Sequence, residues 1–190
     1  MEFPKHSFWD WALKVYGTPG VSQACLEVQE RLHVDVNVLL FCLWVGESGL
    51  GTLTPDRLSH ARESVDHWHE NVVKRLRGVR RALKEDSLGA PNDLAASLRR
   101  EIQGREIDAE HIEQLVLVAS VADLDADATR PAEARGDDAV ANVAMYLAQL
   151  NASLMGVDRA ALATIVAAAC PGLPKAKAET ALSQHAPITF

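Results

Sequence analysis

Strand signals are what this chain lacks most. Alternating β-branched runs bounded by turn residues do not recur along its 190 residues, whereas helical spacing recurs almost everywhere. Long apolar runs are missing as well: the longest, Val38 to Val45, falls far short of the roughly 20 residues that a membrane helix needs. Cysteine is scarce. Cys25, Cys42 and Cys170 have no metal-type spacing, and an odd number of thiols suits reduced cysteines in a cytosol. Cationic side chains are outnumbered, 19 Lys and Arg against 26 Asp and Glu, and the net charge of −7 argues against general nucleic-acid binding. Met1 to Lys5 leads into aromatic and polar residues, not into a charged region followed by an apolar one, so no signal peptide is expected. Together these absences predict a soluble, cytoplasmic protein without a membrane partner.

Large apolar side chains are concentrated at the front. Three of the four Trp (Trp9, Trp11, Trp44) and two of the three Cys lie before Val45. Ser7 is the expected N-cap of a helix through Tyr16, ended by Gly17-Thr18-Pro19-Gly20. A second helix is predicted from Val21 to Leu32, and a third, capped by Asp35, from Val36 to about Gly46. The third is apolar nearly all round and so belongs at the centre of a bundle. Thr54-Pro55 opens a helix ending near Val65, and Asp66 is placed as the cap of a new one reaching about Glu85. A long helix is predicted from Leu94 towards Ala122, with an acidic middle of Glu101, Glu106, Asp108, Glu110 and Glu113. Val140, Val143, Leu147, Leu150 and Leu154 form a close-packing seam, Asp158 is placed as the cap of a helix through Ala169, and a weak helix spans Lys175 to Gln184. The expected fold is all-α: a single helical bundle with a smaller Ala-rich helical C-terminal appendix. Residues 1–123 form the helical core domain, 124–138 a linker rich in Asp, Ala, Pro and Gly, and 139–190 the appendix packing on that core.

Few residue patterns carry chemistry. Lys74, Arg77, Arg81 and Lys84 share one helix face and make a candidate surface for an anionic partner. The acidic stretch of the next helix is the competing destination for that stripe, since a short connection favours antiparallel packing. Glu30/His33, Asp66/His69, His67/Glu70 and Asp108/His111 have i, i+3 spacing, but only Glu30/His33 has the Glu-x-x-His order of carboxylate-bridged dimetal bundles. Stoichiometric metal binding is therefore not expected. Cys25 and Cys42 sit on apolar helix faces and read as small core residues, not nucleophiles. Ser48 and the Gly49-Leu50-Gly51 pair lack the preceding strand that a nucleophile elbow or a phosphate loop requires. Gln29, Asn37 and Trp68 are candidates for a polar pocket, although buried hydrogen bonding that locks the bundle is an equally physical use for them.

Phe8-Trp9-x-Trp11-Ala12-x-x-x-Tyr16, Pro19-Gly20-Val21, Cys25-Leu26-x-x-Gln29, Asp35-Val36-Asn37-x-Leu39-Leu40-Phe41-x-Leu43-Trp44, Trp68-x-x-x-Val72-Val73 with Leu76-Arg77-x-Val79-Arg80-x-x-Leu83-Lys84, and Glu106-Ile107-Asp108-Ala109-Glu110 come in that order. The chain thereby resembles the bacterial family catalogued as domain of unknown function 2390 over roughly residues 8 to 120. The resemblance implies a soluble, mostly helical bacterial protein and brings no activity, cofactor or partner with it. That family's pattern calls for no His at positions 33, 69 and 111, which weighs further against a metal. With no catalytic motif and no cofactor expected, the sequence reads as a non-enzymatic interaction or regulatory protein whose partner is a protein. A ferritin-like dimetal bundle or a small-ligand-binding bundle is the alternative.

Overall fold

A computed structural model describes residues 2–174 together with 176, 177 and 180. Among these, eight α-helices and one π-helical turn account for the regular structure, with no strand. They are α1 (Ser7–Tyr16), α2 (Val21–Leu32), α3 (Val36–Glu47), α4 (Pro55–Trp68), the π-turn (His69–Val73), α5 (Lys74–Glu85), α6 (Asn92–Ala119), α7 (Ala132–Gln149) and α8 (Gly156–Ala169). The fold is all-α, with helices packed directly on one another. No helix among the described residues is long and apolar enough to cross a membrane.

The centre is α3, where every residue from Asn37 to Gly46 is buried. Its all-round apolar surface needs partners on every side, and α1, α6, α7 and α8 supply them. Phe8 and Trp44 pack against each other with ring centroids 5.2 Å apart, and Phe8 meets Phe41 edge-on at 5.9 Å. Helix α3 crosses α7 closely at Gly46 and Ala139, where even one added carbon on Gly46 would lie 2.1 Å from the Ala139 backbone nitrogen. Asn142 of α7 then ties down the chain after α3. Its Oδ1 accepts from the Leu53 N–H at 2.7 Å, and its Nδ2 donates to the Gly51 carbonyl at 3.1 Å.

Several local expectations are corrected. The cap of α1 is His6, whose Nδ1 accepts from the Trp9 N–H, and Ser7 is the first helical residue. Asp66 caps nothing. With neither Gly nor Pro nearby to break the helix, α4 continues through it to Trp68 and reaches α5 by way of the π-turn. Asp158 is the third residue of α8: its Oδ2 accepts from the N–H of Met155, the capping residue, and its Oδ1 pairs with Arg31 at 2.6 Å. The segment expected as a linker is helical from Ala132 onwards, because α7 extends far enough back to bury Gly136 and Asp138. One apolar cluster includes residues from α1 through Leu173. The helix expected over 175–184 lies almost entirely outside the described residues.

Candidate functional site

Three ionisable side chains from three separate helical segments meet beneath the start of α3. Asp35 caps that helix, its Oδ1 accepting from the Asn37 N–H at 2.8 Å. Its second oxygen, Oδ2, lies 2.9 Å from His69 Nδ1. Glu113 Oε1, from α6, lies 3.0 Å from the same nitrogen. His69 opens the π-turn, and the residue that turn inserts re-registers α5 against α4. Such insertions recur at functional sites. Glu113 is fully buried and its second oxygen is held by Asn37, whose Nδ2 donates to Oε2 at 2.9 Å. Gln114 Nε2 in turn donates to Asn37 Oδ1 at 2.8 Å. From α7 the Tyr146 hydroxyl oxygen accepts the Asp35 N–H at 2.8 Å.

Electrostatics follow from this arrangement. Burial, then the neighbouring Asp35 charge, pushes the Glu113 carboxyl up to about 8. Burial opposes ionisation of Asp35 as well, but its hydrogen bonds to His69 and Glu113 hold it below the usual carboxylate range. Burial pulls the His69 imidazole down, yet the hydrogen bonds it donates to the two carboxyls hold it up at about 10. At neutral pH the Asp35 carboxylate and a Glu113 carboxyl that keeps its proton thus face one imidazolium. The count of charges is closed either by a proton or by a cation. The three potential ligand atoms all lie within 4.8 Å of one another.

Asp35 borders two cavities. One, of about 230 Å³, is also lined by His69 and Tyr146. The other, of about 430 Å³, lies between α1, α2, α3, α5 and α6 and takes in Gln29, Asn37, Arg77 and Gln114. Beside it, Arg77 is fully engaged. Its Nε donates to Glu106 Oε1 at 2.9 Å, one Nη to Gln29 Oε1 at 2.7 Å and the other to Glu110 Oε1 at 2.6 Å. Arg80 closes on the same Glu106 carboxylate.

The basic stripe is therefore divided. Arg77 turns inward to the acidic helix, Arg81 pairs with Glu30 at 3.3 Å and Lys74 pairs with Glu70 one turn back. Lys84 lies exposed near the end of α5. Of the candidate pocket residues, Gln29 and Asn37 do line one cavity, whereas Trp68 lies apart from it and donates its indole N–H to the Ala109 carbonyl at 3.0 Å. The i, i+3 His-carboxylate pairs do not converge into one cluster. His33 is the left-handed cap of α2, and His111 is stacked between Trp9, at 3.9 Å, and Phe3, at 4.3 Å. Cys25, Cys42 and Cys170 are buried and free, and burial alone pushes the Cys25 thiol up to about 12. Asp35 and Glu113 were not expected to act together. One reads locally as a cap and the other as part of an acidic stretch, of which Glu106 is buried as well.

No curated protein and no solved structure matches this chain. The family profile described as a protein of unknown function, DUF2390, matches residues 7–117, a span that contains Asp35, His69 and Glu113. The chain belongs to that family.

Proposed function

We propose that this protein is a metal-binding helical bundle, with Asp35, His69 and Glu113 as the ligands of one divalent first-row ion. The convergence of three ligand atoms from α3, the π-turn and α6, beside a fully buried carboxyl, carries the reading. A neutral imidazole and two carboxylates sum to two negative charges. A divalent cation balances them without any proton held in the site. One nitrogen and two oxygens suit Mn²⁺, Fe²⁺ or Zn²⁺ better than Ca²⁺, which takes oxygen ligands. The outer contacts support it too: Asn37 fixes the free oxygen of Glu113 and Gln114 fixes Asn37, as second-shell groups orient metal ligands. Coordination positions facing the 230 Å³ cavity would take water or a small ligand. A cytoplasmic setting fits the three free thiols.

The test is reconstitution of metal-free, untagged protein with Mn²⁺, Co²⁺ or Zn²⁺, followed by elemental analysis after desalting. About one equivalent should be retained by the wild type and by His33→Ala and His111→Ala, and lost in His69→Ala. Substoichiometric binding of all three metals by the wild type rejects the site, and so does retention by His69→Ala. Folding of each variant is read from its helical circular dichroism.

A further inference from the structure

The start of α1 is held by a histidine, and such a cap answers to pH as a Ser, Thr or Asn cap does not. His6 Nδ1 accepts from the Trp9 N–H at 3.3 Å, so the neutral ring carries its proton on Nε2. That Nε2 is buried and has no hydrogen-bond partner. A second proton has to go to Nδ1, the atom that makes the cap. It turns the acceptor into a donor facing another donor. It also sets a positive charge at the N-terminus of a helix, where the macrodipole opposes it.

The cap bond closes more than one turn of helix. Trp9, the residue it holds, stacks on His111 of α6 with ring centroids 3.9 Å apart and planes 6° apart, and Phe3 stacks on the same ring at 4.3 Å. The His6 ring itself lies 5.1 Å from His111 and 6.3 Å from Phe8. Two titratable groups face His6: His111 from α6 and Asp10 from α1. Burial and then His111 disfavour the charged form of His6, Asp10 favours it, and the balance lies below the ordinary 6.5. Asp108, beside His111, is already paired with Arg105. Trp9 is also part of the wall of the 430 Å³ cavity, so a change in its position changes that cavity.

We propose that His6 is a proton-operated latch: neutral, it caps α1 and closes Trp9 and Phe3 onto His111; protonated, it frees the first turn of α1 and opens the part of the cavity wall that Trp9 forms. The latch is independent of the metal reading. The latched state holds its proton less tightly than the open one, so it is favoured above the ordinary 6.5 and loses ground as the pH falls below that value. Amide exchange by NMR on the metal-free full chain, between about pH 7.5 and about pH 5.5, tests it. Protection of the Trp9 amide, corrected for the intrinsic pH dependence of exchange, should fall by about five-fold or more over that range. Phe41, in the buried centre of α3, should stay protected. The His6 ring should titrate with a midpoint below 6.5. His6→Asn keeps a capping acceptor that does not titrate, so its Trp9 amide should be equally protected at both ends of the range. His6→Ala should lack that protection throughout. Wild-type protection that does not change with pH overturns the inference, as does a His6 midpoint at or above 6.5. A fall that persists in His6→Asn would assign the opening to another group, full protection in His6→Ala would remove the cap, and a parallel fall at Phe41 would mark general unfolding; each overturns it equally. The wild-type measurements decide the matter even where a variant is unstable.

Discussion

Glu106 is 5 % exposed between two guanidinium groups, which fixes the direction in which acid acts on it. Burial alone would raise its pKa, but Arg80 and Arg77 together hold it below its ordinary 4.5. A carboxyl whose folded pKa is lowered stabilises fully above the unfolded value, and that contribution is lost as the pH falls through the folded one. Glu106→Gln is expected to cost about 2 kcal/mol at neutral pH, and the gap to wild type should narrow as the pH falls below the ordinary 4.5. Urea unfolding of both proteins across that range checks it, and parallel pH profiles would contradict it. Glu110, which burial raises, works in the opposite direction, so only the difference between the two proteins isolates Glu106. In the core, Leu43 is completely buried in α3, and Leu43→Ala should cost about 2–5 kcal/mol by denaturant unfolding. Leu40→Ala should fall at the lower end of that range, because Leu40 borders the larger cavity and its loss opens space that water can enter. Asp35 shows how far residue-level reading reaches. Its capping oxygen is legible from the Asp35-Val36-Asn37 sequence, whereas the oxygen on His69 answers to a residue 34 positions away, as the difference 69 − 35 gives.

At the scale of elements, the crossing of α3 over α7 depends on one missing side chain. A Cβ at Gly46 would sit 2.4 Å from the Ala139 Cα and 2.8 Å from its Cβ, and backbone cannot yield as a flexible side chain does. Gly46→Ala should therefore destabilise by about 3 kcal/mol or more. Gly104, on the exposed surface of α6, meets nothing within 4 Å, and Gly104→Ala should stabilise by about 0.5–1 kcal/mol. Thermal melts of the two variants should move in opposite directions, and a neutral Gly46→Ala would contradict the close crossing. Helix positions were largely legible because apolar residues recur at helical spacing in α2, α3 and α5 to α8. The π-turn was not, since the periodicity on either side of His69 is ordinary and one inserted residue leaves no compositional mark. That is why Asp66 reads as a cap when it is mid-helix. The basic stripe on α5 and the acidic stretch on α6 were both visible, and opposed charge on sequential helices is the pattern that Arg77, Glu106 and Glu110 make in space.

For the whole molecule, the packing of α3, the π-turn and α6 brings Asp35, His69 and Glu113 to one point, with α7 reaching in through Tyr146. Nothing in local spacing announces such a set, because each of the three side chains comes from a different segment and no two are within a helical turn in sequence. The scattered i, i+3 pairs drew attention to the wrong carboxylates: His69 meets Glu113 and Asp35, not Asp66. Diffraction from crystals of the full chain soaked in Mn²⁺, collected with anomalous signal, tests the proposed centre most directly. The account predicts a single strong anomalous peak about 2–2.5 Å from His69 Nδ1, Asp35 Oδ2 and Glu113 Oε1. A map with no peak there, the three side chains keeping their direct hydrogen bonds to one another, would contradict it.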